Sequence, residues 1–186
     1  NHTSSDSGAQ HAFDYLLAEG EELTFGSSLF TGIATPGHTS DSLSYIIEDN
    51  VFVGDTLFMP DGGTARCDFP GGNAEVLWES IARLHKLPDH YKIWVCHDYQ
   101  PDGRELRYQT TVKESRRSNI HVNKGKHKSE FVALRTQRDV TLDVPKLLYP
   151  SLQVNLWGAT LPEKQSNGVR YINIPLTDKT TTRAGN

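Results

Sequence analysis

The chain has 186 residues, of which 36% are hydrophobic and 23% are charged, a composition sufficient for the core of one folded domain. Its 19 lysine and arginine residues against 23 aspartate and glutamate residues give a net charge of −4. This balance disfavours a nucleic-acid-binding protein, because such proteins usually carry a basic excess. No apolar run reaches the ~18 residues of a membrane-spanning helix, so we expect no membrane partner. The two cysteines, Cys67 and Cys96, are too few for a disulfide-held fold and indicate a reducing, cytoplasmic location.

Two pairs of short strands are predicted in the first third of the chain, in the segments 22–33 and 43–53. Gly26-Ser27 is a plausible turn in the first pair, and the polar Glu48-Asp49-Asn50 is suited to the turn of a hairpin in the second. Residues 1–12 are polar and rich in glycine and serine, and we expect them to form a flexible start.

The pattern then changes to helical periodicity. Leu77, Ile81 and Leu84 recur at helical spacing behind Asn73, a residue type that caps helices. The run Tyr91–Cys96 is short and apolar, and it predicts a buried strand.

Later elements are more weakly indicated. Helices are predicted at about 105–119 and 129–140, a last strand at 169–174, and a flexible tail at 177–186. No internal repeat or linker is evident, so we expect a single domain over 1–186. Strands and helices that alternate along the chain favour an α/β or α+β fold.

Three metal-competent side chains stand beside glycine or at the ends of predicted strands: His38, Asp55 and His97. Two imidazoles and one carboxylate suit zinc or non-haem iron. Taken singly, each is more often an ordinary turn residue. The ordered set of three predicts a metal site at one edge of the sheet, because strand ends can aim ligands into a shared cleft.

The segments around these residues resemble the metallo-β-lactamase superfamily, and within it the persulfide dioxygenases related to the ethylmalonic encephalopathy protein. The resemblance covers roughly residues 20–176. Four motifs carry it: Thr35-Pro-Gly-His38-Thr, Phe52-Val-Gly-Asp55-Thr-Leu-Phe, Gly63-Thr-Ala-Arg66-Cys-Asp68-Phe-Pro-Gly-Gly72 and Cys96-His97-Asp98-Tyr99. It implies the αββα sandwich of that superfamily.

The resemblance also implies roles for individual residues. His38 and Asp55 match two of three iron ligands, and His97 matches a ligand of the second metal in dinuclear relatives or a residue near the metal in mononuclear ones. Tyr99 matches a residue on the glutathione side of the pocket. Asp98 and Tyr99, beside His97, are both candidates for a catalytic role through hydrogen bonds.

Two further residues are candidate substrate contacts. Arg66 lies in the dioxygenase-like motif and either forms an ion pair with Asp68 or acts directly. His121 falls near an anion-binding position of some relatives. Cys67, on a polar loop, is the better candidate for a reactive thiol, whereas Cys96 is expected to be a packing residue.

One motif of the family is absent. The early His-x-His-x-Asp-His segment, which supplies the third iron ligand, does not occur in this sequence. We therefore expect a sandwich that lacks much of its N-terminal half. Either the numbering begins inside a longer polypeptide, or that half was lost, or another chain supplies it.

Three functions follow as hypotheses. The first is an iron-dependent enzyme of sulfur metabolism that oxidises glutathione persulfide to sulfite and glutathione. The second is a glyoxalase-II-like thioester hydrolase, in which zinc is the alternative metal and a glutathione thioester is the substrate. The third is a catalytically incomplete fragment that acts as an interaction domain, and an exposed sheet face would then favour a homodimer.

Overall fold

A computed structural model describes residues 13–172. These residues form two compact units. The larger unit spans Leu17–Leu142, and the smaller comprises the described residues on either side, 13–16 and 143–172. The prediction of a single domain stays a prediction, because this division does not say whether either unit folds alone. The predicted flexible ends lie outside the described residues.

The larger unit is built on a six-stranded sheet whose strands lie in chain order. The strands are β1 (Glu22–Phe25), β2 (Ser28–Ala34), β3 (Leu43–Ile47), β4 (Asn50–Phe52), β5 (Lys92–Trp94) and β6 (Gln109–Thr111). Both predicted strand pairs are confirmed as antiparallel hairpins. The pair β4 and β5 runs parallel, unlike its neighbours in the sheet.

The parallel pair exists because a helix, α1 (Ala74–Leu84), connects its two strands. Parallel strands need such a crossover, and their carboxyl ends meet at the same edge of the sheet. Asp55 follows β4 closely and His97 follows β5 closely. The topology therefore brings these two side chains to one edge although they are far apart in sequence.

Helix α1 forms where the periodicity predicts it. The side chain of Asn73 accepts hydrogen bonds from the amides of the second and third helical residues, which confirms it as the cap. Leu77, Ile81 and Leu84 are buried in one core cluster with Val51 of β4. Burial of an aliphatic side chain of this size contributes roughly 1.5–3 kcal/mol, so α1 is held to the sheet mainly by this stripe.

The later helices differ in part from prediction. They are α2 (Val112–Ser118), α3 (Lys128–Asp139) and α4 (Leu148–Leu156). The third predicted helix is confirmed as α3. The helix predicted over 105–119 begins only at Val112, because the residues before it pair with β5 as β6, and Thr111 then caps α2 through its hydroxyl.

Two elements of the smaller unit differ from the prediction. Helix α4 was not predicted, and it has no buried residue that would have produced an apolar stripe. The strand predicted over 169–174 is absent from its described part, 169–172, where every residue is exposed and no ladder forms. The rest of that segment lies outside the described residues.

The mixed α/β class is confirmed by this arrangement of strands and helices. Within residues 13–172, none of the helices has the length and apolarity needed to cross a bilayer.

Candidate metal site

His38 lies in the loop that follows β2. The residue before it, Gly37, has a φ of 134°, and a Cβ there would lie 2.4 Å from the backbone of Leu77 on α1. The amide of Asn73, which caps α1, donates to the Gly37 carbonyl at 2.8 Å. Glycine thus allows the loop to approach the start of α1 closely, and that approach fixes the backbone position of His38.

The ring of His38 is oriented by a backbone carbonyl. Its Nδ1 lies 2.7 Å from the carbonyl oxygen of Arg66, and since a carbonyl only accepts hydrogen bonds, Nδ1 must carry the proton. Nε2 is therefore unprotonated in the neutral ring, and it lies 3.9 Å from Asp55 Oδ2. An imidazole held in this way is prepared to act as a metal ligand.

The loop that supplies this carbonyl is held by α3. Arg135 Nη1 donates to the carbonyls of the two residues before Arg66, at 3.0 and 2.8 Å. Asp139 Oδ2 accepts from the amide of Cys67 at 2.7 Å. Arg135 and Asp139 are themselves buried and form an ion pair at 3.4 Å. The peptide groups on both sides of Arg66 are thus fixed by one buried pair of charges.

Asp55 lies between the two histidines, in a short 3₁₀ turn directly after β4. Its Oδ1 is 3.2 Å from His97 Nε2, and its Oδ2 is the atom that faces His38. The contact with His97 is not aligned as a hydrogen bond, so Oδ1 is buried without a hydrogen-bond partner. Such an unpaired buried oxygen is costly unless a cation or proton satisfies it.

The donor set therefore fits a metal ion in its chemistry: imidazole nitrogen and carboxylate oxygen are ligands of both zinc and iron. Among residues 13–172, no three His, Cys, Asp or Glu side chains are arranged to enclose a metal. In the described part of the chain, His38 and His97 thus both lie beside the Asp55 carboxylate, but these three residues do not form a complete metal site.

Aromatic side chains line the His97 side. The Phe58 ring lies 6.2 Å from the His97 ring and 5.4 Å from the Tyr99 ring, in both cases edge to face. Tyr99 is 68% exposed. Partial burial and the nearby charge of Asp55 raise the pKa of the Tyr99 hydroxyl. Tyr99 is therefore a protonated donor beside the site, and its contact with a substrate stays a prediction.

Arg104 holds the Asp98 carboxylate in its ionised form. Both of its oxygens bind the guanidinium of Arg104, each at 2.6 Å, and it also accepts from the Arg107 amide at 2.7 Å. Arg104 Nη2 further donates to Asp61 at 2.8 Å. Hydrogen bonding to Arg104 lowers the pKa of Asp98 to about 2. Its catalytic role stays a prediction, and this geometry favours an anchor for the segment after His97.

The side chain of Arg66 is bound by neighbouring groups of the protein. Its guanidinium donates two hydrogen bonds to the Asp68 carboxylate, at 2.6 and 2.5 Å. It also donates to the Leu142 carbonyl at 3.3 Å. The guanidinium lies 5.0 Å from the centre of the Phe69 ring. The predicted Arg66–Asp68 ion pair is confirmed. A direct role of Arg66 in substrate binding stays a prediction.

His121 does not suit the anion-binding role expected of it. It is buried, and its Nδ1 accepts a hydrogen bond from the Thr64 amide at 3.0 Å. Burial, and secondarily the charge of Arg135, lower its pKa to about 4. His121 is therefore an uncharged packing residue near neutral pH, and the geometry gives no support to its assignment as a substrate contact.

The two cysteines have the opposite environments to those expected. Cys67 is buried and its pKa is raised to about 12, chiefly by that burial. Cys96 is exposed. The polarity of the loop around Cys67 is misleading, because α3 covers this part of it.

Comparisons with known proteins identify the family of the chain. Residues 8–97 match the family model of the metallo-beta-lactamase superfamily. A crystal structure of ETHE1 from Myxococcus xanthus aligns with a TM-score of 0.70 and 35% identity, covering 79% of this chain and 61% of that one. The chain therefore belongs to the metallo-β-lactamase superfamily, as the sequence motifs indicated.

Relatives by sequence carry names from the same superfamily. Glyoxylase B2 from Dictyostelium discoideum is 51% identical over 94% of this chain and 60% of its own length. A probable metallo-hydrolase from Burkholderia pseudomallei is 47% identical over 88% of this chain and 59% of its own. A hydroxyacylglutathione hydrolase from Pseudoalteromonas translucida is 32% identical over 75% of this chain and 49% of its own. The chain thus spans about three fifths of the length of the first two.

Proposed function

We propose that this chain carries part of the active site of an iron-dependent dioxygenase that acts on glutathione persulfide. The observation that carries the proposal is that His38 and His97 face the two carboxylate oxygens of Asp55, of which Oδ1 is buried without a hydrogen-bond partner. Persulfide, dioxygen and water would give glutathione, sulfite and two protons. The outer sulfur is oxidised and dioxygen is reduced.

The residues of the site would have separate roles in binding the metal and the substrate. His38 Nε2 and the Asp55 carboxylate would hold Fe(II), with His97 near the metal but outside its ligand set. When bound, the iron supplies adjacent open positions for dioxygen and the persulfide sulfur. Tyr99 would donate its hydroxyl hydrogen to the glutathione part, and Phe58 would shield the reacting end from water.

Similarity to ETHE1 from Myxococcus xanthus, at 35% identity and a TM-score of 0.70, supports this choice. Since the His-x-His-x-Asp-His motif is absent from the sequence, the proposal includes a third metal ligand from outside residues 13–172. The activity is accordingly proposed for a complete assembly that contains such a ligand.

A glutathione thioester hydrolase is the second candidate. It is favoured by the names of the relatives, Glyoxylase B2 and hydroxyacylglutathione hydrolase. The same donors would hold zinc, which when bound lowers the pKa of a coordinated water to about 7. Here Tyr99 would again orient the glutathione part, and no dioxygen would be consumed.

The two candidates are separated by paired assays on the metal-loaded complete assembly. Oxygen uptake with glutathione persulfide, absent from an Asp55→Asn variant, is the result expected for the dioxygenase. Rapid cleavage of an acyl-glutathione thioester without oxygen, and no oxygen uptake with the persulfide, would replace it by the hydrolase. Inactivity in both assays by protein that retains metal would reject both enzymes and leave an interaction domain.

A further inference from the structure

We propose that a second pocket of the larger unit binds a nucleoside diphosphate or triphosphate. The pocket has a volume of about 310 Å³ and shares no residue with the candidate metal site. It lies between α1, the end of α2 and the loop over residues 122–126. This volume is at the lower end of the range for small-molecule sites, which suits a compact ligand.

The floor of the pocket is apolar and includes an aromatic ring. Trp78, Ile81 and Ala82 lie on one face of α1, at the spacing of neighbouring helical positions, and Val122 lines the pocket from the loop. The Trp78 ring is itself packed on Phe131, with 5.6 Å between the ring centres. A half-buried indole supported in this way offers a fixed surface for a flat apolar group such as a nucleobase.

The rim carries a positive charge that the protein does not neutralise. Lys86, Lys124 and Lys126 line the pocket, and within residues 13–172 no ion pair joins any of them to a carboxylate; the lysines that do form such pairs there are Lys92 and Lys128. Three lysines that line one pocket without a carboxylate partner among the described residues favour a ligand with several negative charges.

Among the described residues, the neighbouring Lys128 has carboxylate partners, unlike the lysines of the pocket. Lys128 begins α3 only two residues after Lys126, and its ammonium lies 3.0 Å from Glu79 and 3.5 Å from Glu75 on α1. The acidic residues of α1 thus face the start of α3. None of them lines the pocket.

The available cations suit a ligand with several phosphates. Lysines bind phosphates as point charges, whereas the planar fork of an arginine recognises carboxylate and phosphate alike. The arginine of the pocket, Arg116, is already committed: it donates to the His85 carbonyl at 2.9 Å and pairs with Asp89. The lysines remain for the ligand, and their number indicates two or three phosphates.

The polar groups of the floor are likewise occupied. The Asn123 side chain donates to the Asn119 carbonyl at 2.8 Å and accepts from the Gly125 amide at 3.0 Å. His85 Nε2 lies 2.9 Å from the Ser115 hydroxyl oxygen. The pocket therefore offers stacking with few free polar groups that could distinguish one base edge from another, so adenine and guanine nucleotides should bind alike.

The loop that carries two of the lysines is held in place without a ligand. The Lys124 amide donates to the Arg116 carbonyl at 2.9 Å, and the Lys126 amide donates to the Asn123 carbonyl at 2.9 Å. A preformed loop reduces the entropy lost on binding.

Calorimetric titration with ADP, GDP, adenosine and pyrophosphate tests the proposal. ADP should bind saturably, with GDP within about threefold of it, and with adenosine and pyrophosphate at least about tenfold weaker because each lacks one half of the contacts. The double substitution Lys124→Gln with Lys126→Gln should weaken ADP at least about tenfold. The charge-matched control Lys113→Gln with Lys128→Gln should change it less than about twofold.

Three results would overturn the proposal. The first is no saturable heat with ADP up to about 1 mM. The second is ADP binding that both double variants weaken equally, which would indicate general attraction to a positive surface. The third is pyrophosphate that binds as tightly as ADP. A Trp78→Leu variant should weaken ADP but leave pyrophosphate unchanged, and equal weakening of both would also contradict the stacking role.

Discussion

His38 and Arg66 are joined by a 2.7 Å contact between the ring Nδ1 and the backbone carbonyl. This contact, rather than the Arg66 side chain, determines which nitrogen of His38 faces Asp55. The position of the carbonyl is in turn set by Arg135 and Asp139 of α3. Orientation of a candidate metal ligand therefore depends on a helix about a hundred residues later in the chain.

We expect Arg135→Lys to weaken metal binding. A lysine keeps the charge but loses the guanidinium that reaches two carbonyls and Asp139 at once. Loss of a group that orients a ligand typically costs about 10–100-fold in metal affinity. The dissociation constant for Zn²⁺, measured by competition with a chelating dye, and the tautomer of His38, measured by nitrogen NMR, check this. The exposed Arg138→Lys is the matched control, and equal affinities for the two variants would contradict the prediction.

Gly37→Ala should destabilise the fold strongly. The new methyl group would meet the backbone of Leu77 at 2.4 Å and the residue would retain a positive φ, so strain and a steric clash combine and we expect a loss of about 3 kcal/mol or more. Gly26→Ala is the control. Its φ is also positive but nothing lies within 4 Å, so only about 1–2 kcal/mol of strain is expected. Urea unfolding measures both, and similar losses would refute the packing argument.

Asp55→Asn should remove bound metal without unfolding the protein. The substitution neutralises a carboxylate whose Oδ1 has no hydrogen-bond partner, so we expect metal-free stability to change by less than about 1 kcal/mol. Metal per chain, measured by plasma mass spectrometry, should fall to background. Asp49→Asn, at a surface ion pair with Lys92, is the control. Unchanged metal content in Asp55→Asn would place the ion elsewhere.

Stability should decrease as the pH falls from about 6.5 to about 4. The folded-state pKa values of His85 and His121 are lowered to about 4, in both cases chiefly by burial, whereas an unfolded histidine titrates near 6.5. In this window the unfolded chain binds protons that the native chain does not, so the free energy of unfolding falls by up to about 1.4 kcal/mol per pH unit for each group. Above this window the two groups contribute no slope.

The substitutions His85→Gln and His121→Asn should flatten this pH profile. Each keeps an acceptor near the original nitrogen but cannot titrate. The exposed His90→Gln is the control and should leave the slope of the profile as it is in the unmodified protein. Urea unfolding at several pH values gives the slopes. A profile that is equally steep in the double variant and the control would mean that other groups cause the acid sensitivity.

Only one cysteine should react in the folded protein. Cys96 is exposed, although partial burial and the charge of Asp55 raise its pKa. Cys67 is buried and its pKa is raised to about 12. Since the thiolate is the reactive form, Cys67 should remain unmodified until the chain unfolds. Titration with a disulfide reagent should detect one thiol in buffer at pH 9 and both thiols in denaturant. Modification of Cys67 before unfolding, located by peptide mass spectrometry, would contradict its burial.

Features encoded locally could be predicted from the sequence. The Asn73 cap and the apolar stripe behind it lie within one helix, so their spacing alone defines α1. The positions of Asp55 and His97 just after short strands also follow from local patterns. Their convergence does not, because it depends on the parallel pairing of β4 with β5, two strands that are distant in the sequence.

The remainder depends on contacts between distant segments. Arg135 and Asp139 have the spacing of an ordinary surface ion pair on a helix, and nothing local indicates that they are buried against the loop around Arg66. The environment of Cys67 was misjudged for the same reason. The helix expected over 105–119 was too long because β6 is defined by its partner strand rather than by an apolar pattern of its own.

The parallel pairing of β4 and β5 has a kinetic consequence. Asp55 and His97 become neighbours only after the chain between them has folded α1 and returned to the sheet. Closing a loop of this length is slow compared with forming a hairpin, because its entropy is lost before the contacts that compensate for it are made. Metal capture by these two residues should therefore be among the last events of folding, and the ion should slow unfolding more than it accelerates folding.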